Sequence, residues 1–329
     1  MIDEQSQSKI IEWAQDSLLS HGCTINTPPE NIQANPWSIT KRFLTSNGYI
    51  YLKQTAPALS LEPFIIKILY DQFHANVPVV IDINQELNCF LMKDSGNSLI
   101  EFLKQDFRPD ILCLAINLYT DIQYAAVKHA DTFLELGVPD WRLDKFPSLY
   151  MQLINQKDLL IDDGMTINEL NQLHELYPVV SATCGLLSSF NIPETLDHCD
   201  FHSNNILIDN VTIEMTIIDW GETVITHPFF SLICNLNSAT RHFSLKETDD
   251  IYLELQDACF KNWLDYENMQ NLRAAMLIAK KLWPIYAALG FHRLMMSCNA
   301  GEFKSYYANR PSRLTGYLKE YIKRSNTIS

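Results

Sequence analysis

The most informative segment of the chain reads His198-Cys199-Asp200-Phe201-His202-Ser203-Asn204-Asn205-Ile206-Leu207. It interrupts a long region of helical periodicity, and it is followed by a second segment, Thr216-Ile217-Ile218-Asp219-Trp220-Gly221. In the second segment a short hydrophobic strand delivers Asp219 into a turn that a glycine can accommodate. The pattern therefore predicts polar side chains presented from a loop and a strand end, outside any helix.

Phosphoryl-transfer chemistry explains this combination of side chains. Magnesium offsets the charge that develops on the transferred phosphate, and it prefers oxygen ligands in octahedral geometry. Asn205 and Asp219 are the predicted metal ligands, because an amide carbonyl and a carboxylate suit this ion. A second carboxylate, not bound to metal, has to orient the acceptor hydroxyl and receive its proton, and Asp200 is the predicted base. In outline the first segment matches the kinase catalytic loop, His-x-Asp-apolar-x-x-x-Asn.

The histidines of the first segment have other interpretations. His198 and His202, together with Cys199 and Asp200, could form a metal cluster, but four candidate ligands in five consecutive residues rarely reach one tetrahedral zinc ion. His198 fits better as a structural residue that braces the loop. His202 lies two residues after the predicted base, so it either contacts the transferred phosphate, as a catalytic residue, or only supports the loop.

The region before residue 93 has the pattern of a small β-sheet. Two extended runs, Trp37–Thr45 and Tyr49–Gln54, flank Ser46-Asn47-Gly48, which is a strong hairpin signal. Two further strands are predicted at Val77–Ile83 and Asn88–Met92. Together they indicate a β-rich N-terminal lobe, preceded by an amphipathic helix over about residues 5–20.

A helix is predicted between the hairpin and the later strands. Ser60 can cap it, and it runs to about Phe73 with Glu62 in its first turn. Pro63 is tolerated there because first-turn amides have no intrahelical partner. Lys53, near the end of the second hairpin strand, therefore precedes a helix that begins with a carboxylate.

The remainder of the chain is mainly helical. Lys93-Asp94-Ser95-Gly96 reads as a linker, so the predicted lobes are residues 1–93 and residues 94–329. The fold class predicted from this pattern is α+β. Helical periodicity is found at about 98–105, 110–136, 144–156, 167–189, 229–240, 247–265, 267–290 and 311–324.

The motifs resemble the aminoglycoside phosphotransferase and choline kinase-like superfamily. That family's usual pattern is His-Gly-Asp-x-His-x-x-Asn followed by Ile-Asp-Trp, and this chain has Leu196 to Asn205 followed by Ile218-Asp219-Trp220. The segments Trp37-Ser38 and His227-Pro228-Phe229-Phe230-Ser231-Leu232 are also similar, so the resemblance covers about residues 31–235. Cys199 stands where the family usually has glycine, and Ser203-Asn204 stands where Pro-Gly is common.

The resemblance implies a protein-kinase-like two-lobed fold with ATP and Mg²⁺ between the lobes. Residues 1–93 would then bind nucleotide, and residues 94–329 would carry catalysis and substrate binding. Taken alone, Lys53 would be a surface lysine, but the resemblance implies that it grips the α and β phosphates, oriented by Glu62. No glycine-rich loop precedes it, so Asn31–Ser38 either covers the nucleotide, with Ser38 near the phosphates, or is a plain turn. Met92 is the predicted strand residue whose backbone meets adenine.

The predicted function is transfer of the γ-phosphoryl group of ATP to a hydroxyl of a small molecule. By resemblance, the acceptor is an aminoglycoside or another amino-bearing or polyhydroxylated compound. One alternative is a kinase acting on a protein hydroxyl, which the short stretch between Asp219 and the helix near Phe229 disfavours. Another is a non-catalytic nucleotide-binding regulator. Intact Lys53, Asp200, Asn205 and Asp219 argue against it.

Charge and composition exclude other classes. With 25 Lys and Arg against 39 Asp and Glu, the formal charge is −14, which disfavours nucleic acid as a partner. No apolar run reaches the ~18 residues of a membrane span, so no membrane partner is predicted. The polar N-terminus does not resemble a signal peptide. The eight cysteines are scattered without CxxC pairs, which favours reduced thiols and a cytoplasmic protein.

Overall fold

The computed structural model describes residues 4–326, and the chain divides into two compact units. Within the described residues, the first unit comprises 4–98, Ile206–Gly221 and Leu294–Ala308, and the second comprises Leu99–Asn205, Glu222–Arg293 and 309–326. Each unit therefore collects segments that are distant in the chain. The division into functional lobes at 1–93 and 94–329 stays a prediction.

The first unit is built on a five-stranded antiparallel sheet. Its spatial order is β1-β2-β3-β5-β4, where the strands are β1 Glu30–Ala34, β2 Ser38–Thr45, β3 Gly48–Thr55, β4 Val80–Asn84 and β5 Cys89–Lys93. The predicted hairpin is confirmed as β2 and β3, with Thr45 opposite Gly48. Strand β1 was not predicted, because its sequence Glu-Asn-Ile-Gln-Ala is polar and every residue of it is exposed.

One face of this sheet is covered by an N-terminal helix, α1, over Glu4–Ser20. Its apolar residues pack with the side chains that β2, β3 and β5 turn toward it; the buried cluster comprises Ile10, Ala14, Leu18, Cys23, Phe43, Ile50, Leu52, Cys89 and Leu91. Successive side chains of a strand point to opposite faces. Since Leu52 points toward α1, its neighbour Lys53 points to the other face of the sheet.

The helix after β3, α2, spans Glu62–Phe73 and follows a short 3₁₀ turn at Pro57–Leu59. The prediction that Ser60 caps this helix is wrong. The N-cap residue is Leu61, without a side-chain bond, while the Ser60 hydroxyl donates to the Pro57 carbonyl. Ser60 is the C-cap residue of the 3₁₀ turn, and helix α2 starts two residues later, at Glu62.

A second, three-stranded sheet also belongs to the first unit. It has the order β6-β8-β9, with β6 at Asn97–Ser98, β8 at Ile206–Ile208 and β9 at Met215–Ile217. The Ile217 amide donates to the carbonyl of Asn76 at 3.0 Å, which ties β9 to the segment after α2. Asp219 follows β9 directly.

The second unit is mainly helical. A two-stranded antiparallel sheet pairs β7, Thr195–Asp197, with β10, Val224–Thr226. Helix α13, Ala300–Tyr306, lies within the first unit, and α12 runs over Met269–Met296. The other helices are α3 Leu99–Gln105, α4 Pro109–Ala126, α5 Ala130–Leu136, α6 Phe146–Ile154, α7 Lys157–Asp162, α8 Ile167–Glu175, α9 Tyr177–Ser188, α10 Phe229–Phe243, α11 Asp250–Ala258 and α14 Arg313–Asn326.

The predicted α+β class is confirmed. The observed helices differ from the predicted ones mainly where a helix is interrupted. The helix predicted over 167–189 is two helices, α8 and α9, because Pro178 lacks the amide that would continue the hydrogen-bond ladder. The helix predicted over 110–136 is broken by a 3₁₀ turn at Val127–His129. The three-residue strands β7 and β10, and the short helices α7 and α13, were not predicted.

Helix α12 bears on the question of a membrane. By length and composition it would qualify as a membrane span, and half of its most apolar stretch is buried inside the protein. A core helix passes the same test. Helix α12 therefore supplies no argument for a membrane partner.

Candidate active site

Lys53 lies at the centre of a charged cluster in the first unit. It projects from β3 on the face opposite α1 and is only 7% exposed. Its Nζ atom lies 2.7 Å from Oε1 of Glu62 and 2.6 Å from Oδ1 of Asp219. Burial alone would lower the pKa of Lys53, but the negative charges of Asp219 and Glu62 raise it above its usual value. Lys53 is therefore held as a cation.

Glu62 is the most buried member of this cluster. Burial raises the pKa of its carboxyl to about 7, against the opposing effect of Lys53, and the charge of Asp219 contributes in the same direction as burial. The backbone amide of Trp220 donates to this carboxyl and lowers the pKa. A side chain at Gly221 would come within 3.3 Å of Oε2 of Glu62, so the turn after Asp219 packs closely against it.

Asp219 is the exposed member. It follows β9 with φ at 69°, a left-handed conformation that aspartate tolerates better than most residues. The next residue, Trp220, is fully buried and donates its indole N–H to the Ile217 carbonyl at 2.9 Å, which anchors the turn. Because 46% of the Asp219 side chain remains exposed, one edge of its carboxylate is open to a cation.

The second unit contains the loop with Asp200. The amide nitrogen of Asn205 donates to the Asp200 carboxylate at 3.1 Å and to its carbonyl at 2.9 Å. Nε2 of His202 lies 3.2 Å from the other carboxylate oxygen. Partial burial would raise the pKa of Asp200, but His202, His198 and Asn205 together lower it to about 2. Asp200 is thus ionised at neutral pH, and its side chain is 42% exposed.

His198 is placed behind this loop. It is fully buried, its backbone amide donates to the Tyr119 hydroxyl at 2.9 Å, and its Nδ1 accepts from the Asp200 amide at 3.3 Å. Phe201 stacks on Tyr119 with ring centroids 4.0 Å apart. Both residues therefore brace the loop on α4. Within residues 4–326 no three His, Cys, Asp or Glu side chains are grouped to hold a metal ion, so the zinc alternative gains no support.

The segment Asn31–Ser38, predicted either to cover the nucleotide or to be a plain turn, consists of most of β1, a loop and the first residue of β2. The loop is tightly organised. Oδ1 of Asn35 accepts from the Ser38 amide at 2.7 Å, from the Ser38 hydroxyl at 3.1 Å and from the Trp37 amide at 3.1 Å. The Trp37 ring packs on α13 and the next residue, against Phe303, Tyr306 and Tyr307. Contact between Ser38 and a phosphate stays a prediction, and it requires the Ser38 donors to turn away from Asn35.

Met92 lies near the end of β5, which is next to the edge strand β4. It is paired with Tyr51 on one side and Val80 on the other. The chain leaves the sheet one residue later, at Lys93. Its role in meeting adenine stays a prediction.

The chain matches a known family over most of this region. The sequence model of the phosphotransferase enzyme family matches residues 60–270, which is more than half of the chain. The chain belongs to this family. A comparison with curated protein sequences gives no significant match.

Solved structures show that this phosphotransferase has a kinase-like fold. The GDP complex of wild-type aminoglycoside 2'-phosphotransferase-IIIa has a TM-score of 0.62 at 14% identity, covering 96% of this chain and 99% of that one. The streptomycin–ATP–APH(2")-IIa ternary complex has 0.57 at 16%, covering 90% and 97%. A choline/ethanolamine kinase family protein from Mesorhizobium loti has 0.57 at 14%, covering 97% and 94%. The predicted two-lobed class, a small sheet and a mainly helical remainder, is confirmed.

Sequence reasoning missed one charged residue of this phosphotransferase. Asp197 ends β7 and is completely buried, next to the loop that carries Asp200. The signal was present, because a carboxylate within the apolar run Thr195-Leu196-Asp197 has to be satisfied internally. Ser231 in the apolar start of α10 is its partner in the second unit.

Proposed function

We propose that the protein is an ATP- and Mg²⁺-dependent kinase that transfers the γ-phosphoryl group to a hydroxyl of a small molecule. The observation that carries this proposal is the buried Lys53 ammonium held between Glu62 and Asp219. A buried lysine with two carboxylates is costly to desolvate, and its orientation suits a site that binds phosphate and metal together. Family membership supports the same chemistry.

The charge balance of this cluster favours a cation. One ammonium faces two carboxylates, so the cluster is negative when both are ionised. Asp219 and Asn205 offer a carboxylate and an amide oxygen, which are ligands that Mg²⁺ accepts. Bound there, the ion would neutralise phosphate charge. Lys53 would bind the α and β phosphates, and Glu62 would keep the lysine oriented.

Asp200 would act on the acceptor. Its low pKa makes it a weak base, so its main contribution is to orient the hydroxyl and to accept the proton late in the reaction. Asn205 and His202 hold the carboxylate in place. We assign His202 this orienting role, because its Nε2 atom faces Asp200. Contact between His202 and the transferred phosphate stays a prediction.

An amino-bearing, hydroxylated compound is the proposed acceptor class. The structural neighbours include a complex with streptomycin and ATP and a choline/ethanolamine kinase family protein. The formal charge of −14 would attract such cations. All eight cysteines are free, in line with a reducing cytoplasm.

The alternative of a protein acceptor remains less favoured. The chain between Asp219 and α10 contains only a 3₁₀ turn at Trp220–Glu222 and strand β10, which leaves little length for a segment that docks a protein. The regulator alternative predicts nucleotide binding without transfer.

A nucleotide-release screen tests the proposal. The purified protein is incubated with Mg²⁺, with ATP or GTP, and with a library of aminoglycosides, amino alcohols and hydroxylated metabolites, and diphosphate release is measured. We expect acceptor-dependent release with at least one amino-bearing hydroxyl compound, and a phosphorylated product by mass spectrometry. Binding of nucleotide without transfer to any acceptor, including a protein substrate mixture, would favour the regulator.

A further inference from the structure

The buried carboxylate of Asp197 collects four hydrogen bonds in the second unit. Its Oδ1 atom accepts from the Cys199 amide at 3.1 Å, from the Ser231 hydroxyl at 2.6 Å and from the Tyr286 hydroxyl in a short bond. Its Oδ2 atom accepts from the Ser231 amide at 3.1 Å. The donors come from the catalytic loop, from α10 and from α12. One carboxylate thus joins three segments of the unit.

All four donors are neutral groups, so burial of the ionised Asp197 carboxylate is unfavourable in free energy. A charge without a cationic partner in a protein interior carries a large desolvation penalty, and uncharged residues of similar volume often give a more stable core. Burial raises the pKa of Asp197 to about 6, against the lowering effect of these donors. Stability alone does not account for an aspartate at this position.

The hydrogen bond from the Cys199 amide links Asp197 to the residue that directly precedes Asp200. Cys199 has φ at 70°, in the left-handed region that residues with a side chain adopt only at a cost in free energy. Its amide is shared between Asp197 and the Ser231 hydroxyl, which lies 3.0 Å away. Asp200 is the next residue. The conformation at Cys199 therefore sets the direction in which the Asp200 side chain leaves the backbone.

We propose that Asp197 is a positioning residue for Asp200: it holds Cys199 in the left-handed conformation and so fixes the catalytic carboxylate. This inference rests on the proposed function, in which Asp200 orients the acceptor. Asp197 does not touch the substrate in this scheme. It acts through the backbone of the loop, with Ser231 and Tyr286 keeping its carboxylate in place.

The test combines Asp197→Asn with Cys199→Gly. Asparagine keeps the size of the side chain but turns an amide N–H₂ toward one of the donors, so we expect kcat to fall about 10-fold or more, since small misplacements of reacting groups are costly. KM for ATP should change less than about 3-fold, because Lys53 and Asp219 are untouched. Glycine adopts the left-handed conformation without strain. In the Cys199→Gly background the same substitution should therefore reduce kcat by no more than about 3-fold.

A matched control distinguishes positioning from general core stability. Tyr150→Phe removes a buried hydroxyl that donates to the Leu173 carbonyl at 2.6 Å, away from the catalytic loop. It should lower the melting temperature with kcat unchanged. If Asp197→Asn loses the same factor in kcat in both backgrounds, or leaves kcat at the wild-type value, the proposal is wrong.

A second variant and a second readout cover the remaining outcomes. If Asp197→Asn does not fold, Ser231→Ala removes the hydroxyl that bonds both Asp197 and the Cys199 amide, and it should show the same rescue by glycine. Amide hydrogen exchange of the peptide around Cys199 should be faster in Asp197→Asn than in wild type, and unchanged exchange contradicts the proposal. If wild type transfers phosphate to no acceptor, the proposed function fails, and this exchange result still decides the role of Asp197 in the loop.

Discussion

The ammonium of Lys53 lies 2.6 Å from the carboxylate of Asp219, although the two residues are 166 positions apart in the chain. The contact joins the middle of one sheet of the first unit to the end of the other. Lys53 is buried, while about half of the Asp219 side chain is exposed. The pair therefore offers a fixed cation on one side and an accessible carboxylate on the other, which is the arrangement that a metal–phosphate complex requires.

Replacing Asp219 tests the metal ligand. Asp219→Ala removes the exposed carboxylate, so the dependence of ATP affinity on Mg²⁺ should be largely lost and turnover should fall by roughly 10²-fold or more. Calorimetric titration of ATP at several Mg²⁺ concentrations measures this. Asp110→Ala is the matched control, since that exposed carboxylate pairs with Arg108 and should leave both quantities unchanged. An unaltered Mg²⁺ dependence in Asp219→Ala would contradict the assignment.

Replacing Lys53 tests the phosphate contact. Lys53→Met keeps much of the apolar stem but removes the ammonium that holds Glu62 and Asp219, and a rate loss of ~10²-fold or more is expected. Steady-state kinetics at saturating Mg²⁺ measures it. Lys104→Met, which removes an exposed lysine paired with Glu101, serves as the control. Activity within a few-fold of wild type in Lys53→Met would show that the buried lysine has no role in transfer.

The sequence was sufficient for the parts of the site that lie within one motif. Asp200 and Asn205 are five residues apart, and their contact follows from the loop itself. The predicted helix start placed Glu62 after the Lys53 strand, and the resemblance implied that the two residues pair. The contact between Lys53 and Asp219 was not predicted, since local periodicity does not tell which strands meet.

The roles of residues whose neighbours are distant in the chain could not be predicted from the sequence. Asp197 lies within the motif, but no role could be predicted for it, because its partners Ser231 and Tyr286 come from distant helices. The arrangement of Ser38 is a similar case: it depends on Asn35, whose side chain bonds the loop in a way that residue type alone does not specify. Short strands such as β7 carry too few residues for alternation to be recognised.

Glu62 makes stability depend on pH. Its carboxyl has a pKa of about 7 in the folded protein, above its ordinary value of 4.5, so the folded state binds this proton more tightly. As the pH rises from about 4.5 to about 7, the free energy of unfolding should therefore decrease, by up to about 3 kcal/mol from this group. Glu62→Gln removes the titration and should flatten this part of the curve. Chemical denaturation of both proteins between pH 5 and 8 measures the difference.

Asp197 does not confound that comparison. Its raised pKa, about 6, contributes a slope of the same sign, but it is present in wild type and in Glu62→Gln alike. The difference between the two curves therefore isolates Glu62. Parallel curves would mean that Glu62 titrates at its ordinary value.

Replacing Gly96, the residue before β6, tests how closely the backbone packs against Ile208. Gly96 has φ at 111°, and a Cβ atom there would lie 2.6 Å from the carbonyl oxygen of Ile208. Gly96→Ala should destabilise the protein by about 2 kcal/mol or more, since the backbone conformation and the contact are both unfavourable. Gly185→Ala in α9 is the control: nothing lies within 4 Å of its added carbon, and a gain of up to about 1 kcal/mol is expected. Urea denaturation of both variants measures the contrast.

The geometry around Asp200 separates its role in transfer from nucleotide binding. Its carboxylate is held by Asn205 and His202 within the second unit, whereas Lys53, Glu62 and Asp219 form their own cluster in the first. Asp200→Asn keeps the shape of the side chain, and its amide oxygen can still accept from Asn205. The substitution therefore removes the base and leaves Lys53, Glu62 and Asp219 untouched. It also keeps an acceptor for Asn205, the second proposed Mg²⁺ ligand.

We expect Asp200→Asn to reduce phosphoryl transfer by roughly 10²–10⁴-fold, the usual contribution of general acid–base catalysis, while ATP affinity in the presence of Mg²⁺ stays within a few-fold of wild type. Since the pKa of Asp200 is about 2, wild-type activity should show no acid limb from this group between pH 5 and 8. Turnover, ATP affinity and bound zinc are measured on both proteins, with Asp110→Asn as the exposed control. A regulator predicts no transfer in either protein, and a zinc site predicts loss of bound metal with Asp200. Retained turnover in Asp200→Asn would contradict the mechanism, because no other carboxylate in the described part of this loop can take the proton.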